Sequence, residues 1–207
     1  GEYELRYIYP PNETEGYHPM WINRHFLNEA EYKKGKLQVG DASFSTLYVD
    51  VKYMDIRALR RIHGLAKKGL PVCLKQFPQQ PGKDKSEEYA DLLIELFAFE
   101  NVSDNFEQII DHSPLIAGDS LPEYWCRVDN DGTHYLFLAQ WHSKNLLYPV
   151  YSGQSHMTKS ENHKLTLNVN GNKIEKEFEF KPYQSIMLKI SPSGRVEFMD
   201  IEFVPKD

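Results

Sequence analysis

Cysteine is scarce in this chain. Its 207 residues hold two, Cys73 and Cys126, too few for a disulfide framework. Long apolar runs are missing as well, so no segment reads as a membrane-crossing helix. There is no excess of basic residues. Lys and Arg number 24 against 30 Asp and Glu, for a net charge of −6. That balance argues against a general nucleic-acid binder, whose affinity rests on neutralising phosphates. Neither a GxGxxG nor a Walker loop is present to cradle phosphate. The eight histidines form no HExxH or HxH pattern. His134 and His142 share strand parity, yet lie about 26 Å apart if fully extended. Neither a metal nor another cofactor is therefore expected. No internal repeat and no long low-complexity tract is visible.

Hydrophobic residues make up 41% of the chain and aromatics 13%, which excludes a disordered polymer. A chain of this length can bury over two thirds of its extended surface and needs no covalent staple. Its length predicts one or two domains. Gly1 reads as a cleavage scar, and Tyr3, Leu5, Tyr7 and Tyr9 alternate as a strand would. A chain that opens inside a strand reads as a piece of a longer protein; the alternative is a mature protein whose leader was removed.

The first half has helical and buried-strand signals. A short helix is expected around Trp21–Ala30 and a short strand at Leu37–Val39, between turns at 34–36 and 40–41. Thr46–Val51 is β-rich. Asp55 is positioned to cap a helix whose apolar face is Ile56, Leu59, Ile62 and Ala66. Lys67 and Lys68 suit its C-terminal end and Gly69 its termination. Pro71–Lys75 then reads as a second strand, completing a βαβ unit with a parallel pair. Ser86 is the expected cap of another helix, striped by Tyr89, Leu92, Leu93, Leu96 and Phe97. One more short helix is expected within 101–110. Residues 111–122 have turn composition and mark the expected domain boundary.

Beyond that boundary the period changes from 3.6 to 2. Strands are expected at 124–128, 133–140, 146–151, 164–169, 174–180, 183–190 and 196–204. The Asp129–Gly132 and Asn170-Gly171 segments between them are hairpin turns. The expected architecture is a flavodoxin-like parallel α/β domain over 1–112 followed by an antiparallel β-sandwich over 120–207.

Few residues point to chemistry. Cys73 is flanked by apolar, β-forming neighbours, and reads as a buried inert thiol rather than as an elbow nucleophile. A Cys73–Cys126 disulfide is an alternative only for an exported protein. Arg57, Arg60, Arg61, Lys67 and Lys68 crowd one helix and read as a solvated face rather than as a phosphate site. The most suggestive stretch runs from Gln140 through Trp141 and His142, with Tyr148, Tyr151 and Gln154 close behind. Aromatic faces beside amides are how sugars are gripped, by ring stacking and by hydrogen bonds to hydroxyls. The structural alternative is that these rings pack a sheet edge.

Three stretches also carry a family resemblance. Trp21-Ile22-Asn23, Gly35-Lys36-Leu37-Gln38-Val39, Phe44-Ser45-Thr46-Leu47-Tyr48-Val49, then Met54, Leu59, Ile62, Leu65-Ala66 and Gly69-Leu70-Pro71-Val72 resemble one particular accessory domain. It is the amidotransferase-like or trimerisation-like domain that follows the catalytic barrel in large bacterial glycoside hydrolases, such as the family-106 α-L-rhamnosidases. Tyr124-Trp125-Cys126-Arg127, Asp131-Gly132 and Tyr135–Ala139 are similar to the β domain that follows it, with Gln140 where that family often has Asn. Tyr183-Gln184-Ser185-Ile186-Met187-Leu188 resembles a late strand of such domains. The amidotransferase nucleophile elbow is absent, and so is the acid-bearing barrel.

The resemblance implies a non-catalytic C-terminal part of a glycoside hydrolase, packed against or oligomerising an N-terminal catalytic domain. It implies export to the periplasm or cell surface. Sugar-binding candidates are Gln140, Trp141, His142, Tyr148, Tyr151 and Gln154; no catalytic residue is named. Two rivals stay open: a carbohydrate-binding module proper, and a self-contained small hydrolase with paired carboxylates near 50–55 and 77–82.

Overall fold

The computed structural model describes residues 10–83, 85–140, 160–181 and 184–199. The fold is mixed and strand-rich: one parallel three-stranded sheet, several antiparallel sheets and few helices. It divides into two compact units. Met20–His112 forms one; residues 10–19 and the described residues from Ser113 onward form the other.

In the first unit, α1 (Arg24–Glu29) leads into an antiparallel meander of β1 (Glu31–Lys33), β2 (Lys36–Val39) and β3 (Ala42–Phe44). Then come β4 (Leu47–Val49), α2 (Ile56–Lys67), β5 (Val72–Leu74), α3 (Glu88–Phe97), β6 (Val102–Ser103) and α4 (Phe106–Ile109). β4 and β5 run parallel around α2, as the strand–helix–strand pattern predicts, and β6 adds a third parallel strand. The composition of 101–110 predicted only a helix there. Two residues of strand are too few for a period to show.

Strand alternation sorts the two faces of this sheet. Leu47, Val49, Val72 and Leu74 share one core with Leu59, Ile62 and Leu65 of α2 and Leu93 and Leu96 of α3. Tyr48 faces the other way and meets Phe106 of α4 edge-on at 5.9 Å. Asp55 caps α2 as expected: one carboxylate oxygen accepts the N–H groups of Arg57 at 2.9 Å and Ala58 at 3.0 Å. The Ala58 amide bond, with the Arg57 amide, holds the Asp55 carboxyl below its ordinary pKa. The cap is therefore fully present above the unfolded carboxylate pKa and lost as pH falls through the depressed folded value. Asp55→Ala is expected to cost about 1 kcal/mol at neutral pH. In denaturant melts the difference from wild type should vanish at strongly acid pH.

Ser86 does not cap α3 with its side chain. The helix begins at Glu88, and the Ser86 amide instead donates to the Gln80 side chain at 2.8 Å. The arginines of α2 are not a free basic face. Arg60 pairs with Glu88, and Arg61 donates to the Leu27 and Ala30 carbonyls at the end of α1.

The second unit is antiparallel. β7 (Ile116–Gly118), β10 (Glu161–Val169) and β11 (Asn172–Phe180) form one sheet in the order β11-β10-β7. β8 (Glu123–Val128), β9 (His134–Ala139), β12 (Ser185–Ile190) and β13 (Val196–Met199) form another in the order β13-β12-β9-β8. Both sheets supply one core, with Leu136, Leu138, Leu188 and Ile190 from one and Leu165, Leu167, Phe178 and Phe180 from the other. The hairpin signals hold: Val169 pairs with Asn172 across Asn170 and Gly171, which have φ of 50° and 78°.

Two expectations need correction here. The 111–122 stretch is not all turn, because β7 pairs with β10 at Leu165–Leu167. Residues 10–19, expected in the 1–112 domain, pack with the β unit instead. Gly16 accepts the Ile116 N–H, and the Tyr124 hydroxyl donates to the Tyr17 carbonyl. These are contacts between parts of the chain about a hundred residues apart, beyond any local pattern. The strands expected over 3–9 and 146–151 lie outside the described residues.

Candidate functional site

β8 carries aromatic rings on both parities, Tyr124 beside Trp125, and β9 carries Tyr135 and Phe137 on one parity, alternating with Leu136 and Leu138. Alternation sends Tyr124, Leu136 and Leu138 to the core and leaves Trp125, exposed, and Tyr135 and Phe137, half-buried, on the opposite face. Register then lines them up. Trp125 lies opposite Phe137, Phe137 opposite Met187, and Met187 opposite Met199. Four side chains thus form an apolar row across all four strands. At the usual interstrand spacing the row is about 14 Å long. Trp125 at one end is 41% exposed and Met199 at the other 40%.

The flanking rows are polar. On one side Arg127, Tyr135, Lys189 and Glu197 follow in register. On the other are Glu123, Ala139 and Ser185. The Arg127 guanidinium sits 5.1 Å from the Trp125 ring centre. His18 meets the same ring edge-on at 4.5 Å. Burial, then the neighbouring Arg127 charge, lowers the His18 pKa, so a neutral imidazole meets the indole at neutral pH.

Of the sequence-predicted sugar-binding residues, Gln140 is described, and its amide is already engaged. Its oxygen lies 2.9 Å from Nε2 of buried His163, and its nitrogen donates to Glu161. Nδ1 of His163 lies 2.9 Å from the Ser120 carbonyl oxygen. Gln140 thus ties the end of β9 to β10. Trp141, His142, Tyr148, Tyr151 and Gln154 lie outside the described residues. The Trp125–Phe137 row was missed by sequence reading. Its signal was the adjacent Tyr124 and Trp125 of β8 and the alternation of Tyr135 and Phe137 with leucines in β9, but which parity faces solvent depends on the second sheet.

At the carboxyl ends of the parallel strands, where open α/β sheets usually bind ligands, the polar groups are tied to one another. Gln76 donates to Asp50 at 2.6 Å, and the Lys75 ammonium donates to the Asp104 carbonyl at 2.7 Å. Gln79 bridges to the 52–54 segment through the Met54 N–H and the Lys52 carbonyl. Asp55, one of the carboxylates a small hydrolase would have used, is the helix cap. Cys73 and Cys126 are buried and not joined in a disulfide, and burial pushes the Cys126 thiol up to about 11. Among the described residues no group of three or more potential ligands is placed to hold a metal ion. No described helix is long and apolar enough to cross a membrane.

Searches of protein-family models, curated proteins and solved structures found no match to the chain.

Proposed function

We propose that this chain is a non-catalytic, carbohydrate-contacting accessory part of an exported bacterial glycoside hydrolase, one that packs against or oligomerises its catalytic domain. The observation that carries the reading is the in-register row Trp125–Phe137–Met187–Met199 on the solvent side of the four-stranded sheet. Sugar rings present flat apolar faces with hydroxyls at their edges. An apolar row bordered by charged and hydroxyl side chains matches both features.

The finer fold reading has its own support. Three parallel strands in chain order, with helices between them, are what a flavodoxin-like or amidotransferase-like domain would contribute. Two antiparallel sheets supplying one core are what a β-sandwich requires. The resemblance of the stretches between Trp21 and Leu188 to the accessory region of family-106-like enzymes supports the parent enzyme and its export. The small-hydrolase alternative is weakened by the use of Asp55 as a cap and of Asp50 as an acceptor for Gln76.

The test is titration of the full chain with a panel of glycan oligosaccharides, following tryptophan fluorescence. Saturable binding is expected, and Trp125→Ala should weaken it about three- to tenfold, the worth of one stacked ring. Binding that survives Trp125→Ala unchanged, or no binding across the panel, overturns the sugar-contact reading. In the second case a scaffold role toward a catalytic domain is left.

A further inference from the structure

The rows beside the apolar stripe differ in charge, and the difference selects a class of sugar. On one side stand Arg127 and Lys189, with Tyr135 between them. On the other stand Glu123 and Ser185. The carboxylate at the far end of the cationic row, Glu197, is paired with Arg195 at 3.0 Å. Asp131, in the turn between β8 and β9, feels the Lys189 charge, but its carboxylate is held by the Thr133 amide and hydroxyl. Both acids are therefore tied to partners of their own, while two cations, Lys189 and the Arg127 that also lies over the Trp125 ring, flank the apolar row in a chain whose net charge is −6.

We infer that the ligand of this face is a uronate-bearing glycan. The inference rests on the sugar-contact reading above and adds the ligand's charge. Sugar rings lie along the Trp125–Phe137 row. Their carboxylates point toward Arg127 and Lys189, and their hydroxyls toward Glu123 and Ser185. A carboxylate suits this edge because the planar Arg127 guanidinium can meet both its oxygens at once. Glu123 on the opposite edge disfavours the reversed orientation, which would set like charges against each other.

The experiment titrates the 207-residue chain with oligogalacturonate and with the same oligosaccharide after carboxyl reduction, calorimetrically, at low and high salt. The uronate form should bind about two- to fivefold tighter, as an exposed ion pair allows. The advantage should shrink as salt rises. Arg127→Gln and Lys189→Gln should each bring the two forms closer in affinity. Equal affinity for both forms, with both substitutions silent, overturns the uronate inference and leaves the sugar-contact reading standing. Binding of neither form by the wild-type chain overturns the inference, and the wider glycan panel then decides the reading itself. Binding of the uronate form that survives Trp125→Ala overturns both.

Discussion

Gly16→Ala is expected to destabilise the β unit by about 3 kcal/mol or more. Two costs combine at this position. Gly16 has φ of +83°, a region that side chains with a Cβ rarely enter. An added Cβ would also sit 2.0 Å from the Ile116 carbonyl oxygen and 2.9 Å from Cβ of Pro114. Backbone cannot yield there without breaking the bond from the Ile116 N–H to the Gly16 carbonyl. The segment from 10 to 19 would then separate from β7 and β8. That would strip the Tyr124 hydroxyl of its Tyr17 partner; burial now raises this hydroxyl's pKa to about 12. Hydrogen exchange should show lost protection at Ile116, and melts a lower midpoint. Gly171→Ala is the control. It has φ of +78° with nothing within 4 Å of the added carbon, so it should cost only about 1 kcal/mol. Equal costs for the two substitutions would mean that the close approach at Gly16 does not exist.

Phe180→Ala should be the costliest core truncation, at about 3–5 kcal/mol. Phe180 is fully buried and stands in the core that both antiparallel sheets supply. Its ring meets that of His163 edge-on at 5.4 Å. Removing the ring leaves a cavity and also uncovers the hydrogen-bonded chain that links Ser120, His163, Gln140 and Glu161. A loss of this size is comparable with the whole stability of many domains. The unfolding midpoint in denaturant would therefore fall steeply, and Phe180→Leu should recover most of it. A loss under about 1 kcal/mol would show that the two sheets do not share one packed core.

The helix α2 is legible in the sequence alone. Asp55, the apolar face from Ile56 to Ala66, the terminal lysines and Gly69 are all local signals, and each acts within a turn or two of itself. The Asn170-Gly171 hairpin was legible for the same reason, since a two-residue turn needs only the residues that tolerate positive φ. β6 and β7 were not legible. They are two and three residues long, and their pairing with β5 and β10 supplies what their own sequence lacks. Ser86 misled because a good capping residue was drawn into the Gln80 loop, and the helix began two residues later.

The site divides in the same way. The sequence pointed to the aromatic stretch that begins at Gln140, whose amide folding commits to His163 and Glu161, and not to the rings of β8 and β9. By itself, then, the sequence determined element types, caps and tight turns, because these depend on neighbours a few bonds away. Tertiary structure alone decided which strands pair and at what register, and which side chains therefore reach solvent. Trp125, Phe137, Met187 and Met199 are spread over more than seventy positions of chain, and only hydrogen-bonded register across four strands makes them one row.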